Sequence, residues 1–218
     1  MDSVQIHECI KLLTEAVRHW QSPAVTIVSQ REGNPFKVLI SCILSLRTQD
    51  KTTGPASERL FALADTPEKM VELAPDVIEK AIYPVGFYRN KTKQIIGICH
   101  TLLDAYQGKV PDDLNELLKL KGVGRKTANL VVTLGFAKPG ICVDTHVHRI
   151  CNRWGYVATK TPEETEFTLR NKLPREYWLQ INDLLVTFGQ NHCSPLSPRC
   201  STCPLAGLCD RVAVGKSR

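Results

Sequence analysis

Leu117-Leu118-Lys119-Leu120-Lys121-Gly122-Val123-Gly124-Arg125-Lys126-Thr127-Ala128 is the stretch on which the reading of this chain turns. An apolar helix end runs into a Gly-Val-Gly turn, and a second helix opens behind it with basic residues. The glycines let the backbone turn tightly and leave it bare for an anion, whose charge then meets main-chain N–H groups at the N-terminus of the second helix. Contacts of this kind hold a nucleic acid by its phosphates without reading its sequence. A plain tight connection between helices would also contain Gly-x-Gly. The flanking Arg125 and Lys126 favour the phosphate reading. Lys126 lies just inside the second helix, where the helix dipole and the neighbouring Arg125 suit an amine acting as a nucleophile. Its plainer role is to bind phosphate.

Working outward, the rest of the chain also reads as helix. Ile6, Ile10, Leu13, Val17 and Trp20 recur at helical spacing behind an Asp2-Ser3 cap. Asn34-Pro35, Thr66-Pro67 and Thr161-Pro162 each put a capping side chain before a proline at the first helical position, and Glu164 completes a capping box with Thr161. Lys91 to Tyr106 carries Ile95, Ile98, Cys99, Leu102, Leu103 and Tyr106 on one face and ends at Gly108 and Pro111. The apolar run from Val38 to Leu46, broken by Ser41 and Ser45, is far short of the roughly 20 residues of a membrane span and reads as a buried helix. About ten helical segments with short connections predict an all-α fold.

The 218 residues are 43% hydrophobic and 23% charged, which excludes a disordered chain, and the formal charge of +6 is compatible with a polyanionic partner. The opening Met1-Asp2-Ser3 has no positive flank followed by an apolar run, so a protein that stays in the cytoplasm is expected. Nine cysteines without an export signal point to reduced thiols or metal ligation rather than disulfides. Cys9, Cys42, Cys99, Cys142 and Cys151 lie among apolar neighbours and read as core. Cys193, Cys200, Cys203 and Cys209 crowd into one loop as C-x6-C-x2-C-x5-C among Pro195, Pro198 and Pro204. Four thiolates on a short loop suit an iron-sulfur cluster better than zinc, which more often takes two C-x2-C knuckles; zinc and unligated thiols remain the alternatives.

Val143-Asp144-Thr145-His146 places a carboxylate at the start of another helix, 18 residues beyond Lys126. Locally this is an ordinary N-cap. Its combination with Lys126 and the cysteine loop makes it a candidate catalytic carboxylate.

Three motifs in this order, Leu120 to Asn129, Val143 to His146 and the cysteine loop, resemble the endonuclease III family of helix-hairpin-helix DNA glycosylases. The similarity extends through Gly86-Phe87-Tyr88 and Leu44-Ser45, from about Phe36 to Cys209. The resemblance implies a two-lobed all-α protein, with a six-helix lobe over 28–138 and a discontinuous cluster lobe of 1–27 plus 139–218, and with double-stranded DNA bound across the cleft by a monomer. It implies a 4Fe-4S cluster on Cys193, Cys200, Cys203 and Cys209, and phosphate binding by Gly122, Val123, Gly124 and Arg125. In such enzymes the lysine matching Lys126 attacks the sugar C1′ of a flipped-out damaged nucleotide, the aspartate matching Asp144 assists, and the resulting Schiff base permits β-elimination. The expected activity is removal of oxidised pyrimidines followed by strand nicking in base-excision repair.

The match is imperfect at three positions. Arg47 and Phe87 stand where the family's bacterial members carry glutamine and leucine to fill the gap left by the flipped base. An arginine can hydrogen-bond the orphaned base and a phenylalanine can wedge between base steps; the ordinary alternatives are a surface cation and a core aromatic. Lys121 replaces the proline usual before Gly-Val-Gly. Two other functions compete with the glycosylase/lyase. A monofunctional mismatch glycosylase is disfavoured by Lys126. A non-catalytic DNA-binding module with structural zinc would share the hairpin and the thiols.

Overall fold

Polar residues ahead of prolines start helices as the sequence predicts. Asn34 accepts the Phe36 N–H at 2.9 Å, Thr66 the Lys69 N–H at 3.4 Å and Thr161 the Glu164 N–H at 3.1 Å. Each satisfies a first-turn amide that has no acceptor within its own helix. Glu164 reaches back as in a capping box, but to the Lys160 N–H at 2.8 Å rather than to that of Thr161.

The structure is a computed structural model and describes residues 4–218, apart from the Glu32 side chain. Among the described residues it holds α1 (Gln5–Val17), α2 (Ala24–Glu32), α3 (Pro35–Ser45), α4 (Asp50–Leu63), α5 (Pro67–Glu72) and α6 (Pro75–Ile82). These are followed by α7 (Tyr88–Tyr106), α8 (Leu114–Lys119), α9 (Arg125–Leu130), α10 (Thr145–Arg153), α11 (Pro162–Lys172) and α12 (Ile181–Asn191). A π-helical segment, Val131–Gly135, continues α9, and no strand occurs among the described residues. The Asp2-Ser3 cap lies outside the described residues, and α1 opens behind Val4, which makes no side-chain cap. α7 starts earlier than its apolar stripe indicates, at Tyr88. No described helix is long and apolar enough to cross a membrane.

The chain divides into two compact units, Pro23–Gly140 and Met1–Ser22 with Ile141–Arg218. The first is organised around α3, whose residues 38–44 are all buried; it packs against α2, α4, α7, α9 and the π segment. A helix buried all round must be apolar all round, and this stretch nearly is. Its exception, Ser41, meets the Ser57 hydroxyl of α4 at 3.2 Å, so no buried hydroxyl is stranded.

The second unit packs α1, α10 and α12 around Ile6, Leu13, Trp154, Tyr156, Leu185 and Phe188, with α11 alongside α10. The Tyr156 hydroxyl leaves this core by donating to the Lys172 carbonyl at 2.9 Å. Cys9, Cys42, Cys99, Cys142 and Cys151 are all buried, as small hydrophobes should be.

Candidate nucleic-acid interface and active-site residues

The hairpin begins where α8, capped by Asp113 through the Asn115 and Glu116 N–H groups, runs out at an extended Leu120. The chain then turns through Gly122 at φ +81°, and Val123 closes the turn with its N–H on the Leu120 carbonyl at 3.0 Å. Val123 is 5% exposed, so it anchors the turn from inside. Gln94 of α7 donates to the Gly122 carbonyl at 3.0 Å.

The two glycines answer to different demands. A Cβ on Gly122 would combine a positive φ with an approach of 2.4 Å to the Gln94 side chain, whereas one on Gly124 would meet nothing within 4 Å. Packing within the chain therefore explains Gly122 but not Gly124, whose bare backbone sits where α9 opens. Gly122→Ala is expected to cost about 1–2 kcal/mol of stability, from the left-handed conformation and the displaced glutamine. Gly124→Ala is expected to leave thermal melting nearly unchanged and still weaken binding to duplex DNA of any sequence by about tenfold, or ~1.4 kcal/mol. Melting curves and fluorescence anisotropy on an undamaged duplex check both; unchanged binding by Gly124→Ala would remove the phosphate site.

Lys126 is the second residue of α9, partly buried, with Thr127 to Leu130 buried behind it. The Cys42 thiol of α3 lies close enough to feel its charge. Burial outweighs that attraction and pushes Cys42 up to about 12, so the thiol stays neutral beside the amine.

Asp144 caps α10, its Oδ1 accepting the His146 and Val147 N–H groups at 2.8 and 2.9 Å. It is 9% exposed, and both hydrogen bonds fix the carboxylate's orientation. The local cap reading therefore holds, and it is compatible with a catalytic role because a cap is a rigid mount. Lys126 and Asp144 belong to different compact units.

α10 also reaches the cysteine loop. Arg149 donates to the Cys193 carbonyl at 2.9 Å. Arg153, one turn on, donates to the Ser194 and Pro195 carbonyls at 2.7 and 2.6 Å and lies 3.2 Å from the Cys193 Sγ. Cys193, Cys200, Cys203 and Cys209 are all partly exposed, unlike the five core cysteines. Burial, then the charges of the other three thiols, pushes Cys203 up to about 11, partly offset by a backbone hydrogen bond. Among the described residues no three His, Cys, Asp or Glu side chains close on a single-ion site. The donor set is nonetheless four thiols in one neighbourhood with a guanidinium against one of them, which suits an anionic, sulfur-ligated group.

Arg47 and Phe87 are brought together. The Arg47 guanidinium lies over the Phe87 ring, 4.9 Å from its centroid. Both residues hold positive φ, 55° and 58°, a conformation that costs a residue with a Cβ about 1–2 kcal/mol. Phe87 is 57% exposed, which rules out its reading as a core aromatic. Together the two residues display an aromatic ring and a cation to solvent. Sequence reading missed Lys91 and Gln94, the α7 residues behind these loops. The available signal was Lys91 itself, a lysine four residues ahead of Ile95 and in phase with the apolar stripe.

Residues 40–175 match the family model of the HhH-GPD superfamily base excision DNA repair proteins. The chain is 48% identical over 182 residues to endonuclease III of Thermotoga maritima, covering 84% of this chain and 85% of that protein. It is 45% identical to mouse endonuclease III-like protein 1, of which it spans 59%. Among solved structures it superposes on an endonuclease III in a trapped covalent intermediate with DNA, an estranged-adenine complex, with a TM-score of 0.84, 35% identity and 97% of each chain covered. With the hairpin, the capped aspartate and the four-cysteine loop all present and in order, the chain belongs to the HhH-GPD superfamily of base excision DNA repair proteins, in its endonuclease III family.

Proposed function

We propose that this protein is a bifunctional DNA glycosylase that removes oxidised pyrimidines and nicks the abasic site by β-elimination. The observation that carries the reading is an amine, Lys126, at the head of the hairpin's second helix, in a chain similar over 97% of its length to an enzyme trapped in a covalent bond to DNA.

In the proposed sequence a damaged nucleotide leaves the stack, because its glycosidic bond is out of reach inside the duplex. The Lys126 amine forms a bond to C1′ as the bond from C1′ to the base breaks, and the base departs. The ionised Asp144 carboxylate stabilises the positive charge that develops on the sugar, and then takes up the proton the amine sheds once its bond to C1′ has formed. The sugar ring opens to an imine, which acidifies the C2′ proton; loss of that proton expels the 3′ phosphate and breaks the strand. Meanwhile Gly122 to Arg125 hold the backbone phosphates, and Arg47 and Phe87 occupy the gap opposite the orphaned base. In a prokaryotic cell this work would fall to nucleoid DNA in the cytoplasm.

Cys193, Cys200, Cys203 and Cys209 would hold a 4Fe-4S cluster whose contribution is to fix the loop that presents the exposed Arg199 to phosphate. Cys200→Ser is expected to lose the broad visible absorbance near blue wavelengths and to make the C-terminal loop cleavable by protease while α7 stays protected. A wild-type protein purified without oxygen that is colourless and carries zinc would remove the cluster.

The deciding experiment incubates the protein with duplex DNA carrying one oxidised thymine and adds borohydride, which freezes only an imine. A covalent adduct together with a nicked strand is the expected result. Base release with no adduct on this lesion or on an abasic site would make the enzyme monofunctional, and neither would leave a binding protein.

A further inference from the structure

α7 carries a lysine where its apolar stripe calls for a hydrophobic residue. Lys91 is 5% exposed, and no carboxylate is among its hydrogen-bond partners. Its ammonium donates to the Leu44 carbonyl at 2.8 Å, the Leu46 carbonyl at 2.5 Å and the Thr48 hydroxyl at 3.1 Å. These three acceptors use all three of its protons. Leu44 is in the last turn of α3, where helix carbonyls lack intrahelical donors and the dipole favours a cation. Burial pulls Lys91 down to about 8, so the site holds the charge at a cost and only because the carbonyls match it.

The Thr48 hydroxyl is used to capacity. It donates to the Leu46 carbonyl at 3.3 Å and accepts from both Lys91 and the Gly86 N–H, the latter at 3.2 Å. One ammonium and one hydroxyl thus tie the segment on either side of Arg47 to the segment just before Phe87. The fit is close, because a Cβ on Gly86 would stand 2.9 Å from the Arg47 carbonyl oxygen. This clamp accounts for two adjacent loops each holding a positive φ that neither would adopt alone.

A second tie leaves the same helix face. Phe87, Lys91 and Gln94 are spaced i, i+4 and i+7, so they stack along one side of α7. Phe87 caps the helix, Lys91 holds the Arg47 loop, and Gln94 holds the Gly122 carbonyl of the hairpin turn.

We infer that Lys91 and Gln94 are positioning residues, through which one face of α7 keeps the Arg47 loop, Phe87 and the Gly-Val-Gly turn in register so that the wedge pair and the phosphate-binding turn engage one duplex together. This rests on the reading of Arg47 and Phe87 as DNA contacts. Lys91 itself is buried and acts only through those loops. Its removal should disturb extraction of a stacked damaged base more than elimination at a site already abasic, where there is no base to unstack.

The test compares Lys91→Met, the double variant Arg47→Ala with Phe87→Ala, and the triple variant, each at a temperature where circular dichroism shows it folded. Thr48→Val replaces Lys91→Met if the latter does not fold. Single-turnover base release from an oxidised-thymine duplex and β-elimination on a preformed abasic site are measured side by side, with 2-aminopurine opposite an abasic analogue reporting the stacking of the orphaned base. Lys91→Met is expected to slow base release by about ten- to a hundredfold, as misplacement of contacts by about an ångström does, to slow elimination less, and to change the 2-aminopurine signal. In the triple variant its further effect should shrink below about threefold, because residues acting through one another are not additive. Equal slowing of both reactions, an undiminished effect in the triple variant, or no effect while the double variant is impaired would each overturn the positioning role. A double variant as fast as wild type would instead overturn the DNA-contact reading, and the positioning role with it.

Discussion

Lys126→Ala is expected to abolish the borohydride adduct and to lower single-turnover base release by about a thousandfold or more, the scale of losing a catalytic nucleophile. DNA affinity should change far less, because the main chain of the Gly-Val-Gly turn and Arg125 remain. Alanine alone does not distinguish a nucleophile from a lysine that binds phosphate, since both lose the ammonium. Lys126→Arg does. Arginine keeps the positive charge and binds phosphate at least as well, but its guanidinium stays protonated and forms no imine. The nucleophile reading expects the arginine variant to bind damaged duplex near wild-type strength and to trap nothing. An arginine variant that still releases base, or an alanine variant that still traps, would move the nucleophile elsewhere. Burial of the neutral Cys42 thiol beside Lys126 makes Cys42 a poor substitute, as its pKa of about 12 leaves almost no thiolate at neutral pH.

The second large effect belongs to Asp144, where a structural and a chemical duty share one carboxylate. Asp144→Ala removes the acceptor of two α10 amides and should cost about 0.5–2 kcal/mol of stability, together with a hundred- to ten-thousandfold in base release. Asp144→Asn separates these duties. Asparagine is as good an N-cap as aspartate, and its carbonyl oxygen can accept the His146 and Val147 amides, so melting should stay within about 0.5 kcal/mol of wild type. It offers no carboxylate to take a proton or face a cationic sugar. Base release should therefore fall nearly as far as in the alanine variant. β-Elimination from a preformed abasic site should suffer less, since no base has to leave. Wild-type rates in a folded Asp144→Asn would reduce this residue to a cap.

The parts of the fold legible in the sequence are those set by neighbours in the chain. Asn34, Thr66 and Thr161 announce their helices because a cap and the proline after it act within three residues. α6 was harder to see because Ala74 makes no side-chain cap ahead of Pro75, and α4 because it contains Pro55. The short α5 and α8 give apolar periodicity little room to declare itself. The site divides in the same way. The hairpin lysine, the capping aspartate and the cysteine spacing are local patterns, visible in order along the chain. The positive φ of Arg47 and Phe87 was hidden, because nothing in an arginine or a phenylalanine asks for it. It is imposed by Lys91 and Thr48, more than forty residues apart in sequence.

The α7 spine bears on how such a protein can change. Arg47 and Phe87 project from loops whose shape is fixed by hydrogen bonds to main-chain atoms and to Thr48, not by their own side chains. Point mutation can therefore exchange these tips, and with them the preference among lesions, without rebuilding the frame. The interval from Phe87 to Gln94 has no such freedom. Inserting or deleting one residue there would rotate one tie about 100° away from the other around the helix and break the register of both. Lineages of this fold should then vary freely at the tips while keeping that interval constant in length, so that new specificity arises by substitution and hardly ever by insertion.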